Sequence, residues 1–167
     1  MKFVRTCEKG VTLLELLLAL TILSIVLLSF TRFFFQAGTY NQSNQSKTVA
    51  TNVARNVLMY MEKQPFIKVR HDFGPALLDT KKRNDYAYEL YLCGSGYQYF
   101  EPNKPKNAGC KPISINNESY HVKIYPEKMD EPEKRKYYIP ITVEVSWGAD
   151  DKKTTALDGT IKSEDLR

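Results

Sequence analysis

"KGVTLLELLLALTILSIVLL", residues 9 to 28, is an apolar run that carries a single carboxylate, Glu15, shortly after a basic head. A charged carboxylate at the centre of a bilayer costs about 2.5–3.5 kcal/mol, so its presence calls for a compensating partner. From Val11 to Thr31 no other charge occurs. At roughly 1.5 Å per residue that length of helix reaches about 30 Å, enough to cross a hydrocarbon core. A membrane-length helix here decides the fold, because the polar remainder of the chain then has to form an extramembrane domain carried on it.

The head MKFVRTCEKG holds Lys2, Arg5 and Lys9 against Glu8. The positive-inside bias keeps it cytoplasmic and sends the C-terminal bulk outside. A cleaved secretory signal would end its apolar region at small residues, but "SIVLLSFTRFFF", residues 24 to 35, continues without such a site. Cys7 has no apolar segment before it, as a lipidated cysteine requires, and is read as an incidental cytosolic thiol.

The chain of 167 residues, with formal net charge +5, suits one modest domain beside the anchor. Loss of residues 1 to 10 would remove three basic residues and one acidic residue, leaving +3. "DTKKRND" and "EPEKRKYY" mix both signs and are read as solvated loop faces, not as a nucleic-acid surface.

Arg32 marks the outer interface, with Phe33, Phe34, Phe35 and Tyr40 as an aromatic collar. Helical periodicity then continues. Val49, Val53 and Val57, beside Ala50, Ala54, Leu58 and Met61, draw one apolar stripe suited to packing on a sheet. Pro65 disfavours helical geometry at Gln64, so the helix is expected to end near Lys63. Gly38 and the polar "NQSNQSK" weaken it at mid-length without ending it. Two Asn-x-Ser sequons lie in that stretch and a third at Asn117; all are read as chance matches.

Residues 66 to 85, with their Gly and Pro, are expected to form a loop. Alternation takes over after it. "YAYELYL" sets Tyr86, Tyr88, Leu90 and Leu92 on one face, "YHVKIY" sets Tyr120, Val122 and Ile124, and "YIPITVEVSW" sets Ile139, Ile141, Val143, Val145 and Trp147. "QYF" and "ALDGTI" are weaker strand signals, and Pro140 implies that its strand starts there or lies at a sheet edge. The expected class is α+β: a long N-terminal helix packed on a small antiparallel sheet. The expected organisation is 1–10 leader, 11–31 membrane helix, 32–64 amphipathic helix and 65–167 sheet domain.

Cys93 and Cys110 lie outside the membrane on this topology and bracket a segment rich in Gly, Pro and Asn. In an oxidising compartment they are expected to pair. His71 and His121 are isolated and no C-x-x-C pair occurs, so no metal and no cofactor is expected. "CGSGY" is not a nucleophile elbow and no phosphate-cradling glycine loop follows a strand, so no catalytic residue and no enzymatic activity is expected. The tyrosines of "YAYELYLCGSGYQYF" suit a half-buried sheet face better than a recognition surface.

A short basic leader, then Gly, a hydrophobic residue, Thr, two aliphatics and Glu in "GVTLLELLLALTIL" resembles the processing and assembly signal of type IV prepilins. The likeness covers about the first 25 residues, and the fold it implies, a long helix on an antiparallel sheet, agrees with the independent reading. It implies a minor pilin or pseudopilin of a type IV pilus, a type II secretion pseudopilus or a competence pseudopilus. By position it makes Gly10 the leader side of the prepilin peptidase cut, Val11 the new N-methylated terminus, and Glu15 the assembly carboxylate. The implied partners are sister pilins, the peptidase, an inner-membrane platform, a cytoplasmic assembly ATPase and membrane lipid. A DNA-binding subunit and a plain single-pass anchor are the alternatives. Val11 stands where Phe is commonest, and no Pro interrupts the anchor. Thr12-Leu13-Leu14-Glu15 also fits an S/T-x-x-E capping box, a purely local reason for Glu15.

Overall fold

The computed structural model describes residues 10–78, 86–94, 96–101, 104–105, 107–129, 131 and 133–166, apart from the side chains of Pro75, Ala76, Leu78 and Leu166. The leader residues 1–9, Cys7 among them, and the cluster "DTKKRND" lie outside the described residues. The chain divides into two units, Met1–Asn44 and Gln45–Arg167.

Among the described residues of the first unit the secondary structure is helix α1, Leu13–Glu62, which continues into the second. It stays helical through Gly38 and the polar stretch 41–47, because one mid-helix Gly costs only about 1 kcal/mol relative to Ala. Inside its apolar part every hydroxyl bonds back to its own helix. Thr21 Oγ1 donates to Leu18 O at 2.8 Å, Ser24 Oγ to Leu20 O at 2.7 Å, Ser29 Oγ to Ile25 O at 2.9 Å and Thr31 Oγ1 to Leu27 O at 2.9 Å. Such back-bonding is what makes a hydroxyl tolerable in hydrocarbon.

In the second unit the predicted stripe is buried: Ala50, Val53, Ala54, Val57 and Met61 pack in the core, with Val49 and Leu58 partly buried against it. The partner is an antiparallel sheet built from strands β1 Tyr88–Cys93, β2 Gly96–Phe100, β5 Glu118–Pro126, β6 Tyr138–Trp147 and β7 Lys153–Lys162, in the order β2-β1-β5-β6-β7. Two short strands, β3 Cys110–Lys111 and β4 Ile113–Ile115, pair with β1 and β5. Alternation puts Ile139, Ile141, Val143 and Val145 of β6 fully into the core, each contributing roughly 1.5–3 kcal/mol of burial. Helix and sheet approach closely at Gly159 of β7, where an added Cβ would lie 2.5 Å from Leu58 Cδ2. Between β4 and β5, Asn116 (φ 52°) and Asn117 (φ 63°) occupy consecutive left-handed positions, the turn that matches strand twist in a two-residue hairpin. The third sequon begins in this turn.

Three expectations are corrected. Residues 66 to 85 are not all loop: Phe66–Leu78 form a second helix, α2. Its Phe66, Val69, Phe73 and Leu77 recur at helical spacing and are buried, a signal hidden by Gly74 and Pro75 near the helix end. Its first N–H, of Phe66, is capped by Glu164 Oε1 at 2.9 Å, a residue 98 positions away. Second, Pro140 neither starts its strand nor sits at an edge. It is the third residue of β6, which lies between β5 and β7. The physical reason is local: Glu127 N donates to Pro140 O at 2.9 Å, but Pro140 has no N–H to return, and the β5–β6 ladder ends at Pro126↔Ile141. Third, the β1 face begins at Tyr88, not Tyr86, and Leu92 at its far end is 40% exposed.

Cys93 and Cys110 face each other across the β1–β3 pair and form a disulfide, with S–S 2.02 Å and Cα–Cα 4.2 Å. Closing a loop of this size constrains the unfolded chain by about 3 kcal/mol. Replacing both cysteines with serine is therefore expected to lower the Tm of the sheet domain by roughly 10 °C, read by calorimetry. Peptide mapping before reduction should recover residues 93 and 110 in one cross-linked species.

Candidate processing and assembly site

The site begins at the residue before the helix. Gly10 is exposed, its φ lies outside the left-handed region, and a Cβ added there meets nothing within 4 Å. Among the described residues nothing requires glycine at this position.

Two residues later the capping box is present as hydrogen bonds. Glu15 N donates to Thr12 Oγ1 at 3.2 Å, while Glu15 Oε2 accepts from Thr12 N and from Thr12 Oγ1, each at 3.1 Å. Leu16 N donates to Thr12 O at 3.2 Å, which closes the first turn. Both donors that a capping box serves are thus satisfied within residues 12 to 15. The carboxylate also lies in the first turn, at the positive end of the helix dipole. Within one chain, the local reason for Glu15 is the one observed.

Beyond the cap the helix surface is apolar and exposed: Leu13 is 80% exposed, Leu14 75% and Phe35 75%. Helix α1 is long and apolar enough to cross a membrane, and none of its most apolar window is buried in the chain. A surface of this extent and character is covered in use by lipid or by protein.

In the second unit the tyrosines serve the core. Phe73 of α2 packs on Tyr88 and Tyr99 with ring centroids 4.4 and 5.9 Å away. Asp72 holds both phenols: Tyr99 Oη donates to its Oδ2 at 2.6 Å and Tyr88 Oη to its backbone O at 2.5 Å. Sequence reading missed Asp72, whose partners come from strands 16 and 27 residues away. Burial, reinforced by the charges of Glu101 and Asp72, pushes the Tyr88 phenol up to about 12. Burial, then the hydrogen bond to Asp72, raises Tyr99 further above the ordinary phenol value. A group whose pKa is raised by folding stabilises the fold below its unfolded pKa, near 10 for tyrosine, and that stability is lost as pH climbs through the folded value. Alkaline titration is expected to leave Tm flat up to pH about 10 and to lower it steadily from there towards 12. Phenolate absorbance should show these two tyrosines ionising only as the domain unfolds.

His71 Nδ1 lies 3.4 Å from Asp72 Oδ1 and His121 Nε2 lies 4.0 Å from Asp151 Oδ1, and the two histidines are not brought together. Among the described residues no three His, Cys, Asp or Glu side chains gather as a metal would need.

A membrane-length apolar helix that starts with a capping box two residues after Gly10, and whose last turns pack on an antiparallel sheet, defines an α+β protein of pilin-like layout. Residues 5–31 match the family described as the prokaryotic N-terminal methylation motif, so the chain carries the type IV prepilin signature. That signature supports a type IV pilin-like prepilin subunit, which in general terms is a structural protein held in the membrane, processed by a prepilin peptidase and assembled with other pilins. No curated protein and no solved structure matches the chain.

Proposed function

We propose that a prepilin peptidase cuts this chain between Gly10 and Val11, that Val11 becomes the N-methylated terminus, and that the trimmed subunit enters a filament as a minor pilin or pseudopilin. The filament is of the type IV pilus, type II secretion or competence kind. Before assembly Lys2, Arg5 and Lys9 hold the head in the cytoplasm, residues 11–31 span the membrane, and residues 32–64 and 65–167 lie outside. In the filament the apolar helix exchanges lipid for the helices of sister subunits, and the chain itself performs no chemistry.

The observation that carries this reading is the methylation motif over residues 5–31. Two structural facts support it: a glycine at position 10 that no contact among the described residues requires, and an apolar helix surface that the described residues do not cover. A glycine with no internal role suits a peptidase that must approach the backbone closely.

Co-expressed with a prepilin peptidase, the protein is expected to lose residues 1 to 10, with Val11 at the N-terminus and a methyl group on its amine. Intact mass and N-terminal peptide mapping read the result. Gly10→Leu should abolish cleavage and leave the melting of the sheet domain unchanged. Cleavage beyond residue 28, or no cleavage of the unaltered protein, would overturn the assignment.

A further inference from the structure

The two residues that flank the proposed cut are kept out of the helix, and the hydrogen bonds that keep them out centre on Thr12. Gly10, Val11 and Thr12 precede the helix, which begins at Leu13. No backbone N–H among the described residues bonds to the carbonyl of Gly10 or of Val11. In a longer helix those carbonyls would be reached by the N–H groups four residues on, of Leu14 and Glu15. Glu15 N is taken instead by Thr12 Oγ1 at 3.2 Å, and Leu16 N by Thr12 O, also at 3.2 Å.

This helix start has a close competitor. Glycine ranks beside threonine as an N-cap residue, so the helix has a second possible start two residues earlier, capped by Gly10. In that register Leu14 N bonds to Gly10 O and Glu15 N to Val11 O, and the carbonyl of the proposed cut is built into the first turn. A peptidase needs that carbonyl free. The cut adds one water across Gly10 C and Val11 N, leaving a carboxylate on Gly10 and an amine on Val11, and the peptidase supplies the catalytic groups. Backbone committed to helical hydrogen bonds is cleaved only through the fraction that opens. The Thr12 hydroxyl decides between the two starts, because it satisfies Glu15 N without drawing on Val11 O. Its partner is a backbone N–H, so the bond does not depend on the side chain at position 15.

We propose that Thr12 is a positioning residue for the cleavage: by capping α1 it holds the Gly10–Val11 peptide outside the helix and open to the peptidase. The inference rests on the cleavage reading above, and it gives Thr12 a task separate from that of Glu15 in assembly. The methylation motif over residues 5–31 spans both the bond and the cap.

The test uses the full chain in detergent with a purified prepilin peptidase, and two substitutions that separate capping from shape. Thr12→Val keeps the branched shape and removes the hydroxyl, whereas Thr12→Asn changes the shape and keeps a strong cap. Loss of the cap moves the ratio of the two starts about fivefold towards Gly10, and a substrate that is competent for only part of the time binds more weakly in proportion. Thr12→Val is therefore expected to lower kcat/KM about three- to fivefold through KM, with kcat and the Tm of the sheet domain unchanged. In micelles it should also move the carbonyl carbon shifts of Gly10 and Val11 towards helical values. Thr12→Asn should be cut within about twofold of the unaltered rate. Both variants are still cut between Gly10 and Val11, so each yields trimmed subunit given time. If the unaltered chain is cut there while Thr12→Val is processed as fast, or Thr12→Asn as slowly as Thr12→Val, the role of Thr12 is overturned and the cleavage reading stands. If the unaltered chain is not cut at Gly10, both fall.

Discussion

Replacing Glu15 with leucine is expected to cut incorporation of the subunit into filaments by roughly tenfold or more, while cleavage, membrane insertion and the melting of the sheet domain stay as they were. Trimming after Gly10 would place a positive amine on Val11, at the positive end of the α1 dipole, where it is unfavourable. In a packed filament the carboxylate of one subunit and the amine of a neighbour can compensate each other in an apolar medium. An uncompensated charge there costs about 2.5–3.5 kcal/mol, and each 1.4 kcal/mol is about tenfold in an equilibrium. The structure sharpens the test, because Glu15 also closes the capping box with Thr12. Glu15→Gln preserves the capping geometry and removes only the charge, whereas Thr12→Ala removes the cap, about 1 kcal/mol, and keeps the charge. Charge pairing expects Glu15→Gln to fail in assembly with Glu15→Leu, and Thr12→Ala to assemble nearly normally. If Glu15→Gln subunits copurify with sister pilins at the unaltered level, Glu15 is a helix cap and nothing more.

Phe73→Ala is expected to destabilise the sheet domain by about 3–5 kcal/mol, a large share of the roughly 5–15 kcal/mol that holds a domain of this kind folded. Phe73 is fully buried and packs on both Tyr88 and Tyr99. Its removal leaves a cavity between α2 and the β1–β2 hairpin and loosens the two phenols that Asp72 holds. The contrast lies on the same helix: Ile67 is 78% exposed, and Ile67→Ala should change stability by no more than about 0.5 kcal/mol. Denaturant unfolding of the full chain in detergent, followed by near-UV circular dichroism, measures both. Equal effects of the two substitutions would mean that α2 does not pack by this face.

The local signals in the chain were legible in proportion to how local they are. The apolar run from Val11, the Val49–Val53–Val57 stripe, and the alternation in "YHVKIY" and "YIPITVEVSW" each report a period of 3.6 or 2 within one segment. Each became the expected element: α1, β5 and β6. The candidate site was legible for the same reason, since Gly10, Val11, Thr12 and Glu15 are neighbours in sequence and the capping bonds join residues three apart.

The sequence by itself determined the membrane-length apolar helix, its start signal, the α+β class and the pairing of Cys93 with Cys110. Tertiary structure alone decided the rest. Helix α2 forms where Gly74 and Pro75 argue for a loop, because its buried face and the cap from Glu164 outweigh the local preference of two residues near its end. Pro140 sits in an interior strand because the neighbouring ladder happens to stop where its missing N–H would be needed. Gly159 matters only because Leu58 lies over it, and Asp72 only because two strands bring tyrosines to it. Propensity and periodicity act over a few residues and can be read along the chain. Close approach, capping from a distance and shared hydrogen bonds depend on which segments meet, and that is set by burial of the whole core.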